Sequence, residues 1–297
     1  MLLDDLVDHA SLDFGATSRS LLDVCLNEDG FALGGEHIGY LDNLFAPPLD
    51  PGVRKSLSVA YVYFAASFFC QDRVFDGDSR SKVDTIAPTV LEGAASGRIL
   101  GVFLQLGLSQ VVALDLINDL RLTFFSSMYA EMDWIRQHGN SDCRLHFTGR
   151  SELFLFGFRL VSEIKGRSVV DGEISCLRTF IEAMQHGDDI GDWREDHLSG
   201  KVTPTLRYAY EEIGSVPDEA ALEEFVYLSG FYEKRCGLVS SMLCDVRERL
   251  RELYGSGGES MIAYVDMQIA KLKQVSERFV DRKSSLLKFH GLNFEKN

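Results

Sequence analysis

Apolar residues recur along this chain at intervals of three and four, the period of helices rather than strands. Val53 to Gln71 reads as one long apolar helix entered after Pro51. Ser79 to Pro88 is polar and is predicted to be a loop. Leu91 to Leu108 is interrupted by Gly97, Gly101 and Gly107, which predicts two short helices. Val111 to Gln137 is a long amphipathic helix stopped by Gly139-Asn140, and Ser141 to Thr148 is loop-like. Helix resumes from Gly149 to Ile164, with Gly157 placed to break it locally. A polar turn, Gly166 to Gly172, leads into a helix from Glu173 to His197. After Pro204, Thr205 to Ile213 makes a short helix. Ser215-Val216-Pro217-Asp218 matches a capping box opening a long helix, Pro217 to Tyr254, nicked at Gly230 or Gly237. Gly255 to Gly258 breaks the chain before a final helix, Glu259 to Phe289. No period-2 segment is long enough for a strand. The expected fold is all-α, a single domain over residues 1–297 of about ten helices.

Composition narrows the partners. The 45% hydrophobic content is ample for a core. A net charge of −15 makes duplex nucleic acid and anionic membrane surfaces poor partners. Six scattered cysteines without a CxxC pair read as reduced thiols rather than a disulfide framework. Met1-Leu2-Leu3 runs straight into Asp4-Asp5 without a basic leader region. The longest apolar stretch, Val59 to Cys70, is too short for stable membrane insertion. A cytoplasmic protein is expected.

The candidate chemistry is acidic. Asp188, Asp192 and Asp196 stand at i, i+4 and i+8, which stacks three carboxylates on one helical face over roughly 12 Å. Like charges at that spacing repel. At a helix C-terminus they also oppose the macrodipole. Hard divalent cations bridging the carboxylate oxygens would offset both costs. Asp72-Arg73-Val74-Phe75-Asp76-Gly77-Asp78 repeats the i, i+4 spacing far upstream. Two such clusters suggest metal sites that take a strongly anionic ligand such as a diphosphate. The histidines and cysteines share no zinc-ligand spacing, and no GxSxG, P-loop or GxGxxG stands in a strand–turn–helix context.

Asp188-Asp189-Ile190-x-Asp192-x-x-x-Asp196 resembles the metal-binding motif of the class I isoprenoid synthase superfamily. In its terpene synthase form the motif is (N/D)D(L/I/V)x(S/T)xxxE, from which Asp192 and Asp196 depart while remaining oxygen ligands. The same residues resemble the second DDxxD of trans-prenyltransferases, with Gln185 three residues ahead. Asp192-x-x-Glu195-Asp196, then Gly200-Lys201, resembles squalene and phytoene synthases. Asp72, Asp76 and Asp78 look like the superfamily's first aspartate-rich motif, read as DxxxD from Asp72, with Gln71 where a DDxxD would begin.

The resemblance implies a helical barrel around a central cavity and an isoprenyl diphosphate substrate. It also implies three Mg²⁺ ions, held by Asp72 and Asp76 from one motif and by Asp188, Asp192 and Asp196 from the other. Arg150 and Lys201 match the basic residues that contact diphosphate. Arg282, Lys283 and Lys288 are either a basic lid or a solvated helix face, and Arg194 faces away from the acids. Helix geometry puts Phe68 or Phe69 one turn beneath Asp72, Phe68 the better placed at i−4, and Phe154 or Phe158 complete an apolar lining. The expected activity is that of a terpene synthase, a carbon–oxygen lyase acting on one allylic diphosphate. The alternatives are a prenyltransferase, chain-elongating or head-to-head, and a non-catalytic isoprenoid-diphosphate-binding subunit. Elongating enzymes carry a GGK-type motif and an RRG, whereas this chain has Gly34-Gly35-Glu36 and Ser79-Arg80-Ser81-Lys82. A homodimer is compatible with either reading.

Overall fold

In a computed structural model of the chain, the described residues are 28–75, 83–136 and 144–289. Side chains are described except at 28–35, 75, 83–84, 131–136, 144–151, 286, 288 and 289. Their regular structure is helix, with no strand among the described residues. The helices are α1 (Glu28–Asn43), α2 (Pro51–Phe75), α3 (Val83–Gln105), α4 (Gln110–Arg136) and α5 (Arg144–Ile164). They continue with α6 (Asp171–Gly191), α7 (Trp193–Ser199), α8 (Pro204–Ile213), α9 (Glu219–Leu228), α10 (Phe231–Tyr254), a 3₁₀ turn at Gly255–Gly258, and α11 (Glu259–Phe289). No helix among the described residues is long and apolar enough to cross a membrane.

The chain forms two compact units. The first comprises residues up to 128 with 152–171, and the second 129–151 with 172 onward. In the first, α2 is buried on every side from Leu57 to Phe68, as its near-continuous apolar sequence requires. Gly157 does not break α5. A Cβ there would come within 3.1 Å of Tyr61 and 3.2 Å of Leu41, so the glycine lets α5 approach α1 and α2 closely. The expected pair of short helices is one helix, α3, which also takes in most of the expected loop and holds Pro88 within it. Leu91, Ala95, Ile99, Val102 and Phe103 form a fully buried stripe along α3. Packing of that stripe outweighs about 1 kcal/mol per helical glycine. The left-handed turn that ends the segment falls at Gly107, φ 69°.

The loop after α1 is held by one cation. Lys165 Nζ donates to the carbonyls of Asp42 (3.0 Å), Phe45 and Pro47 (2.7 Å), and ion-pairs with Asp42 Oδ1 at 2.7 Å. Asp42 is completely buried and also accepts from the Leu49 amide at 2.9 Å.

In the second unit, α8 is opened by Thr203, whose hydroxyl accepts from the Leu206 amide at 3.3 Å, with Pro204 at the first helical position. The expected long helix 217–254 is two helices. Asp218, not Ser215, caps α9, accepting from the Ala221 amide at 2.8 Å. The break before α10 lies at Gly230, φ 78°. Phe279 of α11 stacks on Tyr227 and Tyr232, at ring separations of 4.2 and 3.5 Å.

Candidate diphosphate and metal site

The expected helix 173–197 is divided at Asp192. The backbone of Asp192 lies at φ −99°, ψ 6°, where α6 ends and α7 begins. Two bonds carry the helical path through this kink: Asp192 N–H to Asp188 O at 2.9 Å, and Asp196 N–H to Asp192 O at 3.0 Å. Asp188, Asp192 and Asp196 therefore remain on one path. The dipole argument changes sign along it. Asp188 sits in the last turn of α6, but Asp192 is the N-cap residue of α7 and Asp196 lies in its first turn, where negative charge is favoured.

Asp188 and Asp192 are exposed, Asp196 is half-buried and Asp189 is buried. Desolvation around its carboxyl group raises the Asp192 pKa above the ordinary carboxylate value, and Glu195 raises it further. Lys201 acts the other way, so its ammonium group lies within electrostatic reach of Asp192. The turn that brings Lys201 there depends on Gly200, whose φ of 76° is left-handed. Gly200 N–H bonds to His197 O (3.1 Å) and Lys201 N–H to Asp196 O (2.8 Å). The turn ends α7 and folds the chain back over it. Arg194 points elsewhere: its guanidinium bonds Glu219 at 2.6–2.7 Å. Arg282 pairs with Glu223 and Lys283 with Glu233, so both belong to a salt-bridged helix face. Gln185 lies one turn before Asp188, buried, and neither polar atom of its amide has a hydrogen-bond partner among the described residues.

In the first unit, Asp72 is half-buried in the last turn of α2. Asp76 and Asp78 lie outside the described residues. Gln71 turns inward: its amide donates to Glu92 Oε1 (2.7 Å) and Ser67 Oγ (3.0 Å), and Glu92 is paired with Arg121 at 2.8 Å. Gln71 thus belongs to an inter-helix network. Phe68 is 5% exposed and stacks on Phe124, centroids 3.9 Å apart, whereas Phe69 is 52% exposed. Phe154 is buried edge-on to His37 at 5.1 Å, and Phe158 is buried against Phe45 at 5.6 Å. Arg150 is on α5, and its side chain lies outside those described.

The stripe offers oxygen donors only, which suits a hard cation. A cation would also relieve the desolvation and like-charge repulsion that raise the Asp192 pKa. Among the described residues no three His, Cys, Asp or Glu side chains already close a cage around one ion.

No protein-family model matches the sequence, and no curated protein does. Among solved structures, the geranylgeranyl pyrophosphate synthase of Lactobacillus brevis matches over 90% of this chain and 94% of its own, with a TM-score of 0.66 at 16% identity. The chain therefore has the all-helical fold of the class I isoprenoid synthases. At that identity the likeness is one of fold.

Three residues that the sequence pattern did not mark make inter-helix or loop contacts: Lys165 and Glu92 in the first unit, and Arg235 in the second. Lys165 lies in the turn after α5, Glu92 on α3 and Arg235 on α10, and no local pattern marks any of them.

Proposed function

We propose that this protein is a Mg²⁺-dependent isoprenoid synthase that ionises an allylic isoprenyl diphosphate. The observation that carries the reading is the continuous path of Asp188, Asp192 and Asp196 through the kink at Asp192, with Lys201 folded back toward it. Bound Mg²⁺ supplies neutralisation of the charge that develops on the departing diphosphate. The carboxylates of the stripe orient that ion, and Lys201 offers a direct cationic contact to diphosphate oxygens. Asp72 and Asp76 serve the same role in the first unit, Arg150 is a further diphosphate contact, and Phe68, Phe69, Phe154 and Phe158 are the candidate lining for the hydrocarbon chain.

Of the branches, prenyl transfer is the one the fold comparison favours, since the matching enzyme is a geranylgeranyl pyrophosphate synthase. One observation favours a single-substrate terpene synthase instead. After Gly34-Gly35, where elongating enzymes place a lysine, Glu36 accepts a bond from the Tyr40 hydroxyl at 2.8 Å. His37 beside it is enclosed by Tyr61 and Phe154, and burial lowers its pKa to about 4. Neither residue offers positive charge at neutral pH to a second, homoallylic diphosphate.

Substrate stoichiometry separates the branches. The protein is incubated with Mg²⁺ and C10, C15 or C20 allylic diphosphate, with and without isopentenyl diphosphate. A requirement for isopentenyl diphosphate identifies elongation, two allylic equivalents per product identify head-to-head coupling, and one equivalent identifies a terpene synthase. Chelator abolishes diphosphate release in all three, and full activity in chelator overturns the proposal.

A further inference from the structure

Both ends of the segment carrying the acidic stripe meet on one guanidinium group. Arg235, on α10, donates through a single terminal nitrogen to His186 Nδ1 at 3.1 Å and to Thr205 Oγ1 at 3.3 Å. His186 lies on α6, two residues before Asp188, and Thr205 lies in the first turn of α8, four residues after Lys201. A guanidinium only donates, so His186 Nδ1 accepts and the direction of that bond is fixed. His186 and Thr205 are buried, at 8% and 1% exposure. The same guanidinium stands 5.9 Å over the ring of Tyr208, which adds a second contact to α8.

Residues 187–204 therefore leave one point and return to it. Within the segment, regular structure amounts to the end of α6, the seven residues of α7 and the turn at Gly200. Trp193 is its buried side chain on α7, edge-on to Tyr227 at 6.3 Å. Asp188, Asp192, Asp196 and Lys201 all lie between the two tethered ends. Their spacing thus depends on how well those ends are closed, since an unclosed loop spreads its ligands over many conformations.

We propose that Arg235 is a positioning residue: it clamps the two ends of the 187–204 segment and so holds the acidic stripe and Lys201 in register for a metal–diphosphate ligand. The identity of the ligand rests on the function proposed above; the clamp does not. Arginine suits the role because its planar, always-charged fork serves two acceptors while lying over an aromatic ring, whereas an ammonium group on a flexible stem loses that preorganisation.

Amide hydrogen exchange tests the clamp, and calorimetric binding of Mg²⁺ with inorganic pyrophosphate tests its consequence, on the full chain. The variants are Arg235→Lys, Thr205→Val, which removes only the hydroxyl, and Thr205→Ser, which keeps it. Arg235→Lys and Thr205→Val are expected to speed exchange in 187–204 by about tenfold or more while leaving 239–250 unchanged. They are also expected to weaken Mg²⁺–pyrophosphate binding roughly tenfold, and to raise the Mg²⁺ needed for half-maximal turnover more than they lower kcat at saturating Mg²⁺. Thr205→Ser stays near wild type. Unchanged exchange in 187–204 overturns the proposal, as does equal acceleration in both segments, which signals general loosening. Where Arg235→Lys fails to fold, Thr205→Val against Thr205→Ser decides alone. If exchange responds as expected but the wild-type chain binds no Mg²⁺–pyrophosphate, the clamp stands and the functional reading falls.

Discussion

Asp192 combines exposure with an unfavourable charge environment, so its removal separates function from folding. Asp192→Ala is expected to cut Mg²⁺-dependent diphosphate release by orders of magnitude with little change in thermal midpoint, because no side-chain cap bond is lost. Near wild-type turnover would show that the stripe binds nothing essential. Phe68 and Phe69 form the opposite kind of contrast. Phe68 is buried and stacked on Phe124, so Phe68→Ala should cost about 3–5 kcal/mol. Phe69 is half exposed, and Phe69→Ala should cost about 1 kcal/mol or less by denaturant titration. If Phe68 also lines the substrate pocket, its truncation changes product chain length or product mixture. An unchanged profile with lowered stability would assign the ring to core packing alone.

At the level of elements, glycine decides where helices end, but only where φ is positive. Gly200 at φ 76° turns the chain so that Lys201 comes near Asp192. Gly200→Ala should destabilise by about 1–2 kcal/mol through left-handed strain and should weaken Mg²⁺–pyrophosphate binding. Gly97, inside α3 and facing open space, is the control. Gly97→Ala should stabilise by about 0.5–1 kcal/mol, so the two thermal midpoints move in opposite directions. The periodic pattern alone could not rank these glycines. It treated Gly97 and Gly157 as breaks, yet Gly97 rides on a helix held by its buried stripe, and Gly157 admits Tyr61 and Leu41 to a close contact.

At the scale of the folded unit, a buried charge and a desolvated imidazole contribute to stability. Lys165 pairs with the wholly buried Asp42 while tying down the Asp42 carbonyl at the end of α1 and two carbonyls of the loop that leads into α2. Lys165→Met should therefore cost about 3–5 kcal/mol, since it leaves a buried carboxylate without its closest cation. A loss below about 1 kcal/mol in a denaturant titration would show that the clasp is dispensable. His37 links stability to pH. Its pKa is lowered from 6.5 to about 4, so the unfolded chain takes up this proton first as pH falls. Its contribution is fully present above the ordinary histidine pKa, declines as pH drops from 6.5 toward 4, and is flat below that. The stability difference between wild type and His37→Gln, followed from pH 7 to pH 4, should narrow across that window. A parallel pair of curves would place the imidazole in a wetter setting than Tyr61 and Phe154 provide.

The all-helical fold was legible in the sequence because the apolar repeat behind it is a local periodicity. A three-to-four apolar repeat requires a helix wherever the apolar face can be buried, and i, i+4, i+8 carboxylates share a face whichever helix carries them. At the division at Asp192 the hydrogen-bonded path from Asp188 to Asp196 still continues. What local pattern could not carry was contact between distant residues. The alignment of Gln71 with Glu92 and Ser67, the enclosure of His37 by Phe154 and the meeting of His186 and Thr205 on Arg235 all join positions 4 to 117 residues apart. Most of these separations exceed any helical period, and they are set by which helices pack together. Packing, not periodicity, decided that the predicted helix 173–197 divides at Asp192 and that the predicted break at Gly97 does not occur.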